Sequence, residues 1–280
     1  MKQIDAFTRL IEPGSWFFSY LDGWHQLNVG ARPLNEQYEY LTDRGLSQLR
    51  FAFDTLFGHS PRDLSFLERF SGAEAVSIGG NFHDFTPLES LTNLKSFHDR
   101  AASRKGMCFD QIYSVEDLRV DYESAHPKYE NFVNLLCFDV ARLPKRFADF
   151  SRFEFKQVKE LSIASSPTRS LSGIEGFRDL EKLALHRCRT LEGSILDGIC
   201  ENVQKLRLEY CPNLKSVAFL EHLPNLRELT LVRCGTLVSF EPVLQLSHLD
   251  KLVVEATDFQ DFDKHKIEKE LNSINHLAVI

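Results

Sequence analysis

The sequence predicts an α/β repeat solenoid, a curved parallel β-sheet backed by short helical or 3₁₀ turns. Three observations carry that prediction. One phrase recurs as LEKLALHRC from Leu180, VQKLRLEYC from Val203, LRELTLVRC from Leu226 and LDKLVVEAT from Leu249, with a period of 23 residues. A fixed period of this length marks stacked structural units. Within each copy two apolar residues alternate, Leu183 with Leu185, Leu206 with Leu208, Leu229 with Leu231 and Leu252 with Val254, which is the two-residue period of a strand buried on one face. Successive copies run in the same direction, so neighbouring strands are parallel and return through a crossover on the far side of the sheet.

The unit length limits that crossover. Strand and turn consume about half of 23 residues, and a three-turn helix fits poorly in the remainder. Segments such as PNLKSVAFLEHLPN, with Pro212 and Pro224 interrupting regular hydrogen bonding, favour 3₁₀ or single-turn helices.

Upstream the phrase is degraded: LSQLRFAFD from Leu46, AEAVSIGGN from Ala73, LKSFHDRAA from Leu94, VEDLRVDYE from Val115, LLCFDVARL from Leu135 and VKELSIASS from Val158. Their spacings of 27, 21, 21, 20 and 23 residues, then 22 to Leu180, stay near the regular period. With INHLAVI from Ile274 as a last strand, about eleven strands are expected. Residues 1–45 are expected to cap the first strand, through a hairpin in which FFSYL and WHQLNV flank Asp22-Gly23, a dipeptide suited to a type I′ turn. Residues 46–262 form the solenoid, and residues 263–280 a closing helix begun by Asp263 and the last strand, all in one structural domain. HDRAASRKG and DYESAHPK read as turns or a protruding loop.

The phrase L-x-x-L-x-L-x-x-C/N resembles that of the leucine-rich-repeat family. The resemblance implies that the sheet lines the concave face, with the 3₁₀ turns on the convex face, and that the ninth position holds a small polar side chain bonded to the turn. Cys188, Cys211 and Cys234 stand there, with Ser166, Thr257 and Asn81 in other copies. It also implies outward-pointing third, fifth and seventh places, with the eighth at the turn, and binding of proteins on that surface. Those places hold basic Arg50, Arg100, Arg119, Arg142, Lys182, Arg187, Lys205, Arg207, Arg233 and Lys251, against acidic Asp117, Asp121, Asp139, Glu160, Glu209, Glu228 and Glu255. The basic excess falls in the regular half, and the earlier half balances at four against four. Two readings stand: complementarity to an acidic or mixed-charge partner, or cross-strand charge alternation. Arg187, Tyr210 and Arg233 share the turn column, with Tyr122 and Arg142 farther back, and Arg and Tyr are frequent interface anchors. The candidate partner-binding set is therefore Arg119, Asp121, Tyr122, Lys182, His186, Arg187, Lys205, Arg207, Glu209, Tyr210 and Arg233.

Composition narrows the class further. Hydrophobic residues at 43% and charged residues at 26% describe a folded protein, and 23 Phe against 2 Met a rigid aromatic core. A net charge of −7 opposes a dedicated nucleic-acid binder. The first 20 residues carry Asp5 and Glu12 and no long apolar run, so neither a signal peptide nor a membrane span is expected there, and the expected location is the cytoplasm. Of the six cysteines (Cys108, Cys137, Cys188, Cys200, Cys211 and Cys234) none forms a C-x-x-C pair, which favours packed, reduced thiols. The cysteine-clustered caps typical of secreted relatives are missing.

No nucleophile elbow, Walker loop, H-E-x-x-H or dinucleotide fingerprint is present, and Gly79-Gly80 lacks the rest of any such motif. His83, His98 and His186 lack an identifiable nucleophile. Asp258, Asp261, Asp263 and His265 do not match a calcium loop and suit a helix N-terminus instead. The expected role is a non-enzymatic scaffold without cofactor, metal or membrane contact that binds another protein, a toxin-neutralising immunity protein being one concrete form. The alternative is binding of nucleic acid or another polyanion by the basic inner face.

Overall fold

The computed structural model describes residues 18–21, 24–29, 33, 35–36, 38–39, 49–53, 63–78, 82, 84–99, 112–121, 132–147, 149–151, 153, 157–193, 198–261 and 276–279. The chain divides into two compact units, Met1–Leu135 and Leu136–Ile280. In the first, β1 (Phe18–Leu21) pairs antiparallel with β2 (Trp24–Val29), Leu21 opposite Trp24. This is the expected hairpin; its turn residues lie outside the described ones. From β2 the sheet proceeds in parallel through β3 (Leu49–Phe53), β4 (Ala75–Ile78), β5 (Ser96–Asp99) and β6 (Asp117–Asp121). One register needs correction. Arg50 pairs with Ala75 and Phe51 with Val76, so the phrase of β3 starts two residues later than LSQLRFAFD implies. The apolar alternation of Leu49, Phe51 and Phe53 permits both registers, and the partner strand selects one.

The second unit holds β7 (Cys137–Ala141), β8 (Glu160–Ala164), β9 (Lys182–His186), β10 (Lys205–Glu209), β11 (Glu228–Leu237), β12 (Lys251–Phe259) and β13 (His276–Val279). All are parallel to their neighbours in chain order. Among the described residues β3–β13 supply the eleven repeat strands expected. Their register stacks Leu161, Leu183, Leu206, Leu229 and Leu252 in one column and Ile163, Leu185, Leu208, Leu231 and Val254 in the next. Each is at most 4% exposed, and each fully buried side chain of this size contributes about 1.5–3 kcal/mol. A phenylalanine cluster fills the space behind β8: Phe147, Phe150, Phe153 and Phe177 pack with ring centroids 5.0–6.3 Å apart.

The crossovers are short, as the unit length requires. They include 3₁₀ turns at Ser65–Phe70, Thr86–Ser90, Lys145–Phe147, Ile174–Gly176 and Ala218–His222, and a one-turn α-helix at Glu241–Leu244. A short polar side chain precedes several of them and accepts the N–H two residues on: Asp63 from Ser65 at 2.9 Å, Asp84 from Thr86 at 2.9 Å, Ser216 from Ala218 and Ser239 from Glu241 at 3.1 Å. Asp261 accepts the Phe240 N–H at 2.7 Å and the Ser239 hydroxyl, tying the last such turn to the next repeat. A second ladder went unread in the sequence: Asn202, Asn213 and Asn225 each donate through Nδ2 to the carbonyl 24 residues earlier. The expected closing helix after Asp263 lies outside the described residues.

Candidate functional site

Each repeat from β7 to β12 has one left-handed residue at the same place, just past the strand in β7–β10 and inside the longer β11 and β12. Arg142, Ser165, Arg187, Tyr210, Arg233 and Ala256 have φ between 46° and 56°, a region that non-glycine side chains rarely occupy. The turn is held by what surrounds it. Arg142, Ser165, Arg187 and Tyr210 each donate an N–H to a carbonyl of the next strand, at 2.8–2.9 Å. Immediately after stands the ninth-position column. Cys188, Cys211 and Cys234 have no exposed surface. Each thiol donates to two carbonyls, one two residues back in its own repeat and one in the preceding strand; for Cys234 these are Val232 at 3.5 Å and Leu208 at 3.2 Å. Thr257 and Ser166 make the same kind of contact through their hydroxyls. Burial pushes the Cys188 thiol up and Cys200 to about 11, while Cys211 is raised by its contact with the Cys234 thiol and by burial. Cys234 is lowered by its contact with the Cys211 thiol, but none of the three column thiols is open to solvent, which suits packing. Cys137 is half-buried, whereas Cys108 and Asn81 lie outside the described residues.

Because every turn has the same geometry, the side chains at the eighth position form one outward column. Tyr210 stands at its centre. The guanidinium carbons of Arg187 and Arg233 lie over the ring at 5.7 and 5.2 Å from its centroid. Arg233 also donates to the phenol oxygen at 3.3 Å, and the His186 ring meets Tyr210 edge-on at 5.3 Å. Arg187 and Arg233 are exposed, and neither forms an ion pair with a described residue.

Three further cations of this face, Lys182, Lys205 and Arg207, are paired with carboxylates of the sheet. Lys182 bonds Glu160, which holds its ammonium above the usual lysine range, and Lys205 pairs with Glu228 at 2.5 Å. Glu209 takes both Arg207 at 2.5 Å and His186 at 3.2 Å. Lys159–Glu181 and Arg227–Asp250 add pairs at 3.4 and 3.3 Å. Cross-strand pairing therefore accounts for much of the basic excess read in the sequence. The structure brings Lys182, His186, Arg187, Lys205, Arg207, Glu209, Tyr210 and Arg233 onto one face of β9–β11.

In the first unit Arg119 is exposed and Asp121 is 7% exposed, while Tyr122 and Arg100 lie outside the described residues. Here Ser96, His98 and Asp117 meet in a cluster absent from the sequence reading. Asp117 Oδ2 is 2.8 Å from His98 Nε2 and accepts the Ser96 hydroxyl at 2.9 Å, and Ser96 Oγ lies 3.1 Å from the same His98 Nε2. A proton relay needs the hydroxyl and the carboxylate on opposite ring nitrogens. Both sit on one nitrogen, so this is a buried polar network and not a nucleophile with its base. Burial raises the Asp117 carboxyl, but His98, Arg119 and Ser96 together outweigh it and hold the group below the usual range. His83, Asp263 and His265 lie outside the described residues, and among the described residues no group of three or more His, Cys, Asp or Glu could hold a metal ion.

The in-register leucine columns, one parallel strand per repeat and the short crossovers together define a leucine-rich-repeat solenoid. No protein-family model matches the sequence, and no curated protein matches it. Among solved structures, an internalin of Listeria monocytogenes superposes with a TM-score of 0.55 at 13% identity, over 76% of this chain and 62% of that one. The chain thus spans less than two thirds of that internalin's length. An internalin C2 of the same organism matches at a TM-score of 0.42 and 12% identity, over 78% of this chain and 83% of that one. The leucine-rich-repeat domain of the type III effector XopL matches at 0.43 and 21% identity, over 82% and 76%. The first of these matches supports the fold.

Proposed function

We propose that the chain is a non-enzymatic scaffold that binds another protein across the outward face of β9–β11, with Arg187, Tyr210 and Arg233 as anchors. The observation that carries this reading is the turn column: a half-buried tyrosine between two exposed arginines, each on a backbone fixed by a ladder bond or a bonded thiol. Such anchors combine contact area with directional donors and lose little freedom on binding. Lys182, His186, Lys205, Arg207 and Glu209 surround them and suit a mixed-charge partner. Of the second candidate patch, Arg119 is exposed on β6, Asp121 is buried, and Tyr122 lies outside the described residues.

The pairing of Lys182, Lys205 and Arg207 with carboxylates favours a protein over nucleic acid, because a paired cation releases no counterion to a phosphate backbone. The buried free thiols fit a reducing cytoplasmic setting. Among the described residues no helix is long and apolar enough to cross a membrane. Neutralisation of a toxin, as by an immunity protein, is one form this role would take.

The test is affinity purification from the native host, followed by reconstitution with the purified partner at two salt concentrations. A stoichiometric protein complex that survives moderate salt supports the scaffold. Retention on a polyanion column with steep loss of binding in salt, and no protein complex, overturns it.

A further inference from the structure

Resting on that reading, we propose that the Arg187, Tyr210 and Arg233 column receives two carboxylates from an acidic segment of the partner protein, one on each arginine. Lys182, Lys205 and Arg207 are committed to carboxylates of the same sheet, whereas these two are exposed and form no ion pair with a described residue. A guanidinium held over a ring keeps its in-plane N–H donors available, and those donors match a carboxylate in a bidentate pair. Both guanidinium carbons lie within 5.7 Å of the Tyr210 centroid, so the ring restrains the pair before any ligand arrives.

Spacing selects the ligand. Turn positions on alternate strands lie about 9.6 Å apart, twice the strand separation. An extended chain rises about 3.3 Å per residue, so side chains two or three positions apart are separated by about 7–10 Å. Two carboxylates at that spacing reach both arginines together. A single phosphoryl group is one compact centre and engages one arginine fully at the expense of the other.

The test titrates peptides onto the intact chain and follows the arginine Nε–H signals by NMR. One flexible Gly/Ser peptide carries Glu-x-x-Glu, a second carries one Glu, and a third carries one phosphoserine. The Glu-x-x-Glu peptide is expected to shift both the Arg187 and the Arg233 signals and to bind about tenfold more tightly than the single-Glu peptide. Arg187→Ala and Arg233→Ala should each remove that advantage, and Lys215→Ala, at an exposed lysine in the crossover after β10, should leave it intact. The inference is overturned if the paired-Glu peptide binds no better than the single-Glu one, if the phosphoserine peptide binds more tightly, or if no peptide shifts either signal. If a partner complex is still lost on replacing the three anchors, the surface reading stands and only the two-carboxylate clamp falls.

Discussion

The outward faces of the two units differ, although both are built from the same strand. In β8 and β9 buried and half-exposed residues alternate strictly, and the outward side chains reach solvent. In β4 and β5 every residue is buried, so Ser77, Ser96 and His98 are only 2–3% exposed where the register turns them away from the leucine columns. Outward is thus not the same as exposed. The open face of the second unit can present a charged column to a partner, whereas the face of β4 and β5 satisfies its polar groups internally. Of the four basic and four acidic residues expected to balance in the earlier half, Asp139, Arg142 and Glu160 fall in the second unit, and those of the first include a buried Asp121 and an Asp117 engaged with His98.

The sharpest way to break this comparison is through the glycines and leucines that keep the second unit regular. Gly193 and Gly235 have φ of 79° and 78°, and a Cβ there would stand 2.2 Å from the Ser216 carbonyl oxygen and 2.4 Å from that of Pro212. Alanine at either should cost several kcal/mol, comparable to the roughly 2–5 kcal/mol expected of Leu206→Ala or Leu208→Ala. Gly176→Ala, where a Cβ meets nothing within 4 Å, is the control and should leave the melting temperature nearly unchanged. A flat response at Gly193 and Gly235 would mean that the turns yield readily.

A smaller effect probes the first unit. The Asp117 carboxyl is held below its usual value in the folded chain, so its stabilising contribution is complete above the unfolded value near pH 4 and is lost as pH falls through the folded one. Asp63 and Asp84 are lowered in the same direction by their hydrogen bonds to Ser65 and Thr86. Melting temperature should therefore drop as pH falls below about 4, and Asp117→Asn should flatten part of that drop while lowering stability at neutral pH. An unchanged pH profile in the variant would remove the network from the account.

Smaller still is the effect of the surface pairs. Lys205 and Glu228 are each more than a third exposed, and a double-mutant cycle on them should give about 0.2–1 kcal/mol. A larger coupling would show that the paired columns hold the sheet together and do not merely neutralise one another.

Much of this was legible beforehand because the evidence lay in a period. Twenty-three-residue spacing placed β9–β12 and their inward leucines, and the recurrence of Cys188, Cys211 and Cys234 marked a packing slot. The β3 register was ambiguous because its apolar alternation fits two alignments. The left-handed turn was hidden for a different reason: Arg187, Tyr210 and Arg233 give no glycine or asparagine signal, since bonds to the next repeat, from the Arg187 and Tyr210 N–H and from the Cys234 N–H to Thr257, hold the conformation. The Ser96, His98 and Asp117 network joins two repeats, and no pattern within either phrase announces it.

The central claim is that the turn column serves binding and the columns behind it serve folding. Simultaneous replacement of Arg187, Tyr210 and Arg233 by Ala separates the two when melting temperature and partner affinity are measured on the same protein. The account predicts a loss of at least 2 kcal/mol in affinity, about thirtyfold, with each exposed side chain costing no more than about 0.5 kcal/mol of stability. Undiminished affinity in the triple variant, with the fold intact, would contradict it.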